Sequence, residues 1–276
     1  MDSIFTQDFE TGIGTFVIPH YAKEFEQDKK YLDKALDSVF NQTDSNWQIV
    51  IIDDASPCKE SVEYIKELEK NNEKIKGIYL TENGGPGVAR NAGVEYAYET
   101  NSPIVLYLDS DDICHERRLE VVRKKMMEDK EINVVYSTFQ VIDEYDEKVP
   151  YEEVAPAIQE LLDGHKKDIV EGENAWIAIA TEKNYTNLTS STAVKTIIAY
   201  TTPFPSENVS EDMHAWLRYG ARKGKFCYDV SIPSCYRIPR GNDSNTRGIL
   251  EDYCLRKVKV DTEGFFEAMK IALENG

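Results

Sequence analysis

Two short runs, Trp47-Gln-Ile-Val-Ile-Ile52 and Pro103-Ile-Val-Leu-Tyr-Leu108, are apolar at nearly every position rather than at alternate ones. A strand of that kind leaves no face for water, so helices must cover it on both sides, which is the condition of a mainly parallel α/β sheet. The surrounding sequence supplies those helices. Gly14-Thr-Phe-Val-Ile-Pro19 precedes an amphipathic stretch at 28–42, and the first run precedes another at 59–72. Ile75 to Leu80 then leads into a glycine-rich turn, Asn83-Gly-Gly-Pro-Gly87, and a helical 88–99. The repeated change of period predicts a β-α-β-α succession through the first half.

The second half is less regular. Asn133-Val-Val-Tyr-Ser137 reads as a strand, 156–164 as a helix, the apolar Ala175 to Ala180 as β-rich, and Phe226 to Ile232 as another strand. Ser210 followed by Glu211 and Asp212 has the composition of a helix start, with Ser210 as the cap. The segment from Tyr236 to Arg247 is expected to be a mobile loop, and 249–275 mainly helical.

Ligands of open α/β sheets bind beyond the carboxyl ends of the strands. Here those ends are acidic: one run enters Asp53-Asp54-Ala55-Ser56 and the other Asp109-Ser110-Asp111-Asp112. Either cluster alone serves equally well as a helix cap. Two on one sheet edge repel each other unless a cation or hydrogen-bond donors lie between them, which points to a site.

Composition narrows what that site can take. The chain has 276 residues, with 32 Lys+Arg against 50 Asp+Glu and a net charge of -18, and it contains no long basic block. Nucleic acid and anionic membranes are therefore excluded as expected partners. A small anionic ligand needs a bound cation or well-placed arginines. The five cysteines, Cys58, Cys114, Cys227, Cys235 and Cys254, are scattered without a Cys-x-x-Cys pair, which fits reduced thiols. The acidic N-terminus has no signal-peptide pattern and no apolar run is long enough to span a bilayer, so a cytoplasmic location is expected. On that reading the Asn-x-Ser/Thr triplets at Asn41, Asn184, Asn187, Asn208 and Asn242 are chance matches.

Five motifs, in this order, resemble those of a family 2 glycosyltransferase: Val17-Ile-Pro-His-Tyr21, Gln48 to Ser56, Asn83-Gly-Gly-Pro-Gly-Val-Ala-Arg-Asn-Ala-Gly93, Tyr107-Leu-Asp-Ser-Asp-Asp112 and Ser210-Glu-Asp212. The resemblance covers roughly 14–240 and implies a GT-A fold: a Rossmann-like, mainly parallel sheet with helices on both faces and a smaller mixed acceptor-side region. It further implies an inverting transfer of sugar from a nucleotide-diphosphate donor, a UDP-sugar above others, to a hydroxyl of a carbohydrate or glycoconjugate acceptor. A departing nucleoside diphosphate calls for a divalent cation, Mn2+ or Mg2+, and hard oxygen ligands suit either ion.

By the same resemblance Asp111 binds the metal, Asp109 contacts the metal shell or the donor ribose, Ser110 lies at the donor and Asp112 supports them. Pro19, Tyr21 and Asp53 form the nucleotide-base site, with Asp54 assisting and Arg90 reaching toward the nucleotide; Ala22 stands where the family often has Asn. Gly84, Gly85 and Gly87 permit close backbone approach or positive φ. Asp212 matches the general base that takes the acceptor proton, and Glu211 its acceptor-orienting neighbour. Trp216, one helical turn beyond Asp212, is either an acceptor platform or a core residue. Where relatives carry a His after a segment like Tyr236-Arg237, this chain has Pro239 and Arg240, which leaves Arg237, Arg240 or Arg247 as phosphate clamps. His115 and His214 match no family position and read as structural or surface residues.

The expected organisation is a nucleotide-sugar half at 1–112, an acceptor and catalytic half of the same domain at 113–248, and a C-terminal helical segment at 249–276. Two other readings compete. A sugar-1-phosphate nucleotidyltransferase uses a basic glycine loop after its first strand, where this chain has Pro19-His20-Tyr21. A non-catalytic sugar-nucleotide or glycan-binding module has no need of Asp109, Asp111 and Asp212 together.

Overall fold

The computed structural model describes residues 8–183, 186–240 and 252–275. Strand β1 (Gly14–His20) is buried at all seven positions, and β2 (Trp47–Asp53) at all but one. Helix α1 (Phe25–Phe40) lies between them, α2 (Lys59–Asn71) follows β2, and β3 (Ile75–Tyr79) precedes α3 (Gly85–Glu99). Then come β4 (Ile104–Tyr107), α4 (Arg118–Glu128) and the long β5 (Ile132–Ile142). The remainder is α5 (Pro156–Lys167), β6 (Gly172–Glu173), α6 (Ala175–Ala178), β7 (Thr192–Lys195), α7 (Thr196–Thr201), α8 (Glu211–Ala221), β8 (Lys225–Arg237) and α9 (Tyr253–Glu274).

The described strands form one eight-stranded sheet in the order β3-β2-β1-β4-β7-β5-β8-β6. β1, β2, β3 and β4 run parallel, as do β5 and β8, whereas β7 is antiparallel to both β4 and β5 and so splices the two parallel groups. Alternate residues of each strand enter opposite cores. Phe16, Ile18, Ile49, Ile51 and Leu106 pack with Leu32 and Leu36 of α1 and Leu119 of α4. Val17, Val50, Ile52, Val105 and Tyr107 pack with Ala89 and Val94 of α3 and Trp216 of α8. Each face removes large side chains from water, worth about 1.5–3 kcal/mol per fully buried aliphatic or aromatic residue, and this two-sided burial is what the uninterrupted apolar runs dictate.

A third, smaller core of Phe139, Val141, Val154, Leu161, Leu188 and Ile238 lies under α5. Its strands deviate from regularity: the register between β5 and β8 shifts between Ser137 and Phe139, where Asp229 and Ser234 are the successive partners.

Several local expectations are corrected. Ala175 to Ala180 is helical, α6 running on into a wider turn at Ile179–Lys183, because only Ala175 and Ile179, one turn apart, are buried. Helix α8 starts at Glu211 as expected, but Ser210 does not cap it: its φ is 56° and its hydroxyl is bonded to Asp261 instead. The expected strand at 226–232 continues to Arg237, so Tyr236 and Arg237 end a strand rather than begin a loop. Arg247, Asn242 and Asn184 lie outside the described residues. Among those described, no helix is long and apolar enough to cross a membrane.

Candidate active site

The parallel register brings the ends of β1, β2 and β4 together at one edge. His20 stands opposite Asp53, the Asp54 amide donates to the His20 carbonyl at 2.8 Å, and the Leu108 amide to the Val17 carbonyl at 3.1 Å. The two acidic clusters therefore flank the β1 end. They meet different partners. Asp54 accepts the Gly84 and Gly85 amides, both at 2.8 Å, and so fastens the N-terminus of α3, where a carboxylate opposes the helix dipole favourably. Asp53 accepts the Ser56 amide at 3.2 Å through Oδ2, and its buried Oδ1 has no hydrogen-bond partner among the described residues.

The second cluster is tied to side chains from across the chain. Asp109 accepts from Arg90 at 2.7 Å and from Thr189 at 3.1 Å, and its amide donates to Ser190 at 2.9 Å. Arg90, on α3 and only 3% exposed, also donates to Glu211 at 3.0 Å, while its guanidinium lies over the Phe204 ring. One buried guanidinium thus joins the β4 cluster to the first turn of α8. Burial opposes its charge, but the carboxylates of Asp109 and Glu211 outweigh that and hold its pKa above the ordinary arginine value. Glu211 is pushed upward by burial and then by the Asp212 charge, against the pull of Arg90.

The glycine turn makes this approach possible. Gly85 has φ +82°, a conformation that side chains rarely adopt. A Cβ on Gly87 would meet the Pro205 carbonyl at 3.0 Å and Glu211 Cγ at 3.3 Å. The close backbone approach expected of these glycines is made by this chain's own 204–211 segment.

A cavity of about 1290 Å³ opens over the edge. Pro19, Tyr21, Asp54, Arg90, Asp109, Ser110, Asp111, Glu211 and Asp212 all line it; Asp53 and Trp216 do not. Tyr236 lines it too, and its hydroxyl is raised well above the ordinary tyrosine value by burial, then by Asp112, Asp111, Asp109 and Asp212, so the β4 cluster and the first turn of α8 act on one phenol.

Trp216 is corrected from acceptor platform to core. It is fully buried, its indole donates to the Asn187 carbonyl at 3.0 Å, and it packs against Tyr107, Phe204 and Tyr219. Arg237 is not a phosphate clamp: it is 1% exposed and donates to the backbone carbonyls of Asp111 and Asp143, while its own amide donates to Asp112. Arg240 pairs with Asp143 at 2.8 Å. Arg90 is engaged by two carboxylates rather than reaching freely toward a nucleotide. His214 is buried against α9, as a structural residue should be.

Thr189 and Ser190 were not singled out from the sequence. The signal available was the hydroxyl-rich run Thr189-Ser-Ser-Thr192 immediately before an apolar strand.

For a divalent cation, the described residues offer no group of three or more His, Cys, Asp or Glu. Asp111 is nevertheless held above the usual carboxylate range by burial and by Asp109. The carboxylate oxygens of Asp111 and Asp109, the latter already paired with Arg90, are hard donors of the kind that suits Mg2+ or Mn2+.

A model of glycosyl transferase family 2 matches residues 15–186. The chain is 32% identical over 120 residues to an uncharacterized glycosyltransferase of Methanocaldococcus jannaschii, covering 44% of this chain and 40% of that protein. It is 39% identical over 99 residues to the succinoglycan biosynthesis protein ExoW of Rhizobium meliloti, covering 36% of this chain and 29% of that one. The chain thus matches less than half the length of either relative. Among solved structures, a UDP-GlcNAc complex of S. aureus TarS superposes with a TM-score of 0.65 at 17% identity, covering 95% of this chain and 71% of that chain. The mannosyltransferase PcManGT of Pyrobaculum calidifontis, in complex with GDP-Man and Mn2+, gives 0.60 at 14% identity, covering 98% and 67%. These superpositions establish the GT-A fold.

Proposed function

The chain belongs to glycosyl transferase family 2, and from that premise we propose that it transfers a sugar from a nucleotide-diphosphate donor to an acceptor hydroxyl with inversion, Asp212 acting as general base. The observation that carries this is the Arg90 bridge, which fixes Asp109 and Glu211 on one guanidinium at the wall of one cavity. A binding module has no use for a buried link between a donor-side and an acceptor-side carboxylate. A transferase needs both within reach of one anomeric carbon.

On this reading Pro19, Tyr21 and Ser110 bound the nucleoside, Asp53 lies buried behind them at the end of β2, and Asp54 acts indirectly by setting α3. Asp111 and Asp109 hold a divalent cation, which when bound neutralises charge developing on the diphosphate. Arg90 holds the Asp109 and Glu211 carboxylates in place through its two hydrogen bonds. Asp212, one residue into α8, takes the acceptor proton as the oxygen attacks the anomeric carbon from the face opposite the diphosphate. Glu211 orients the acceptor. The bound nucleotides of the superposed structures, UDP-GlcNAc and GDP-Man, support a nucleotide-sugar donor, and ExoW supports a role in polysaccharide or glycoconjugate synthesis.

The test is thermal unfolding with UDP, GDP, TDP, CDP and ADP, each with and without Mn2+. A ligand at about 100 times its Kd adds about 2.7 kcal/mol, so one nucleotide should raise the Tm, and only with the metal. No shift under any condition defeats the proposal.

A further inference from the structure

Helix α9 lies beyond the stretch that the family model matches, yet it grips the turn that leads into Glu211 and Asp212. Arg256 donates to Glu207 at 3.0 Å and to Asn208 at 2.6 Å. The Ser210 hydroxyl donates to Asp261 at 2.6 Å, and Lys257 reaches both Ser210 and Asp261. Tyr253 and Lys257 line the same cavity as Asp212.

Ser210 is the joint. Its backbone is left-handed, φ 56° and ψ 22°, which is unfavourable for a residue with a side chain and persists only where neighbours enforce it. A serine in this place normally turns its hydroxyl onto the free amides of the first helical turn. Here the hydroxyl points away from α8 to Asp261, while the Ser210 carbonyl accepts the first helical hydrogen bond, from His214 at 3.0 Å. A return of Ser210 to an ordinary conformation would change the direction in which the chain enters α8, and with it the placement of the next two residues. Arg90 anchors Glu211 from the other side, so Asp261 and Arg90 bracket the turn.

We propose that Asp261 is a positioning residue for the transfer: by accepting the Ser210 hydroxyl it holds the left-handed turn that presents Asp212 to the cavity. This rests on the assignment of Asp212 as base. It makes α9 part of the catalytic apparatus.

The experiment compares D261A, D261N, S210G and the double variant D261A/S210G. It reads hydrolysis of the nucleotide sugar whose nucleotide stabilises the protein, together with amide hydrogen exchange over 211–214. A displacement of about 1 Å at a reacting group costs up to about 10²-fold. D261A should therefore lower kcat by about 10–10²-fold, leave the donor KM within about twofold, and speed exchange over 211–214. D261N should retain most of the rate, because its amide oxygen still accepts the hydroxyl. D261A/S210G should recover it, because glycine adopts the turn without an anchor. Wild-type kcat and exchange in D261A overturn the proposal, as does a double variant no faster than D261A. If the wild-type protein hydrolyses no nucleotide sugar, the transferase reading is what fails, and the exchange comparison alone decides whether Asp261 holds the turn.

Discussion

The acidic clusters ending β2 and β4 look alike in sequence and sit on either side of β1, yet their chemistry differs. At β2 the carboxylates are met by backbone amides, those of Gly84 and Gly85 on Asp54 and that of Ser56 on Asp53. At β4 Asp112 also accepts a backbone amide, that of Arg237, but Asp109 is met by side chains from α3 and from the turn before β7, and through Arg90 it is linked to α8. Backbone amides are fixed by the fold, so Asp54 works as a joint. Asp109 is instead tied to side chains of two other segments, so its placement is shared with the rest of the cavity wall, the preorganisation that a charged ligand's site requires. In this chain the strand end whose carboxylate shares its partners with other parts of the cavity wall is the one at β4.

The sharpest way to break this comparison is D212N. A general base contributes about 10²–10⁴-fold, so the variant should lose at least about 10²-fold in kcat while keeping metal-dependent stabilisation by nucleotide. Hydrolysis and transfer at the wild-type rate would remove Asp212 from the chemistry and leave the β4–α8 link as architecture.

W216A separates site from core within α8. With its ring among Tyr107, Phe204 and Tyr219, truncation should cost about 3–5 kcal/mol of stability. W216F, which keeps most of the volume, should leave acceptor KM unchanged. Chemical denaturation measures the first and a saturation curve in acceptor the second; a KM effect in W216F without a stability loss would restore the platform role.

How far these roles could be read beforehand follows from the same distinction. The strands of the first half were legible because two-sided burial leaves an uninterrupted apolar run, visible without any partner. Helices α1 and α3 begin three residues before the amphipathic stretches at 28–42 and 88–99, at Phe25 and Gly85, since Glu26 and Gln27 in the one and Gly85, Pro86 and Gly87 in the other carry no apolar period. The motif residues were found through the family pattern, and most of them converge on the cavity. What did not show was pairing. Nothing local announces that Arg90 will spend itself on Asp109 and Glu211, or that Ser210 will bond Asp261 instead of its own helix. Arg237 was misread because a buried arginine and a loop arginine look the same until the strand that carries it is seen to extend to that residue. Ala175 to Ala180 was misread because a short apolar run fits strand and helix equally.

D54A tests the joint directly. Losing the acceptor of two helix-terminal amides should lower stability by about 1–2 kcal/mol, with turnover reduced only as far as α3 shifts Arg90. Urea unfolding and kcat are compared with the wild type. A loss of turnover above about 10²-fold with unchanged stability would make Asp54 a ligand contact and erase the contrast with Asp109.

The smallest effect concerns what stands behind the β4–α8 group. His214 is buried against α9, where a Cβ on Gly264 would come within 2.9 Å of its ring. Burial, then the Arg218 charge, lowers its pKa to about 4. Because the folded value lies below the ordinary 6.5, the unfolded chain takes up the proton first, so the stabilising contribution is complete above that value and declines as pH falls toward 4. Between pH 6.5 and 5.5 the wild type should lose about 1 kcal/mol more than H214Q, whose side chain does not titrate. Parallel stability curves for the two proteins would contradict this. If the loss is found and hydrogen exchange places it first in α8 and α9, acid loosens the helix that carries Asp212 while the amide-bound carboxylates at β2 remain in place, and the two strand ends differ in resilience as well as in chemistry.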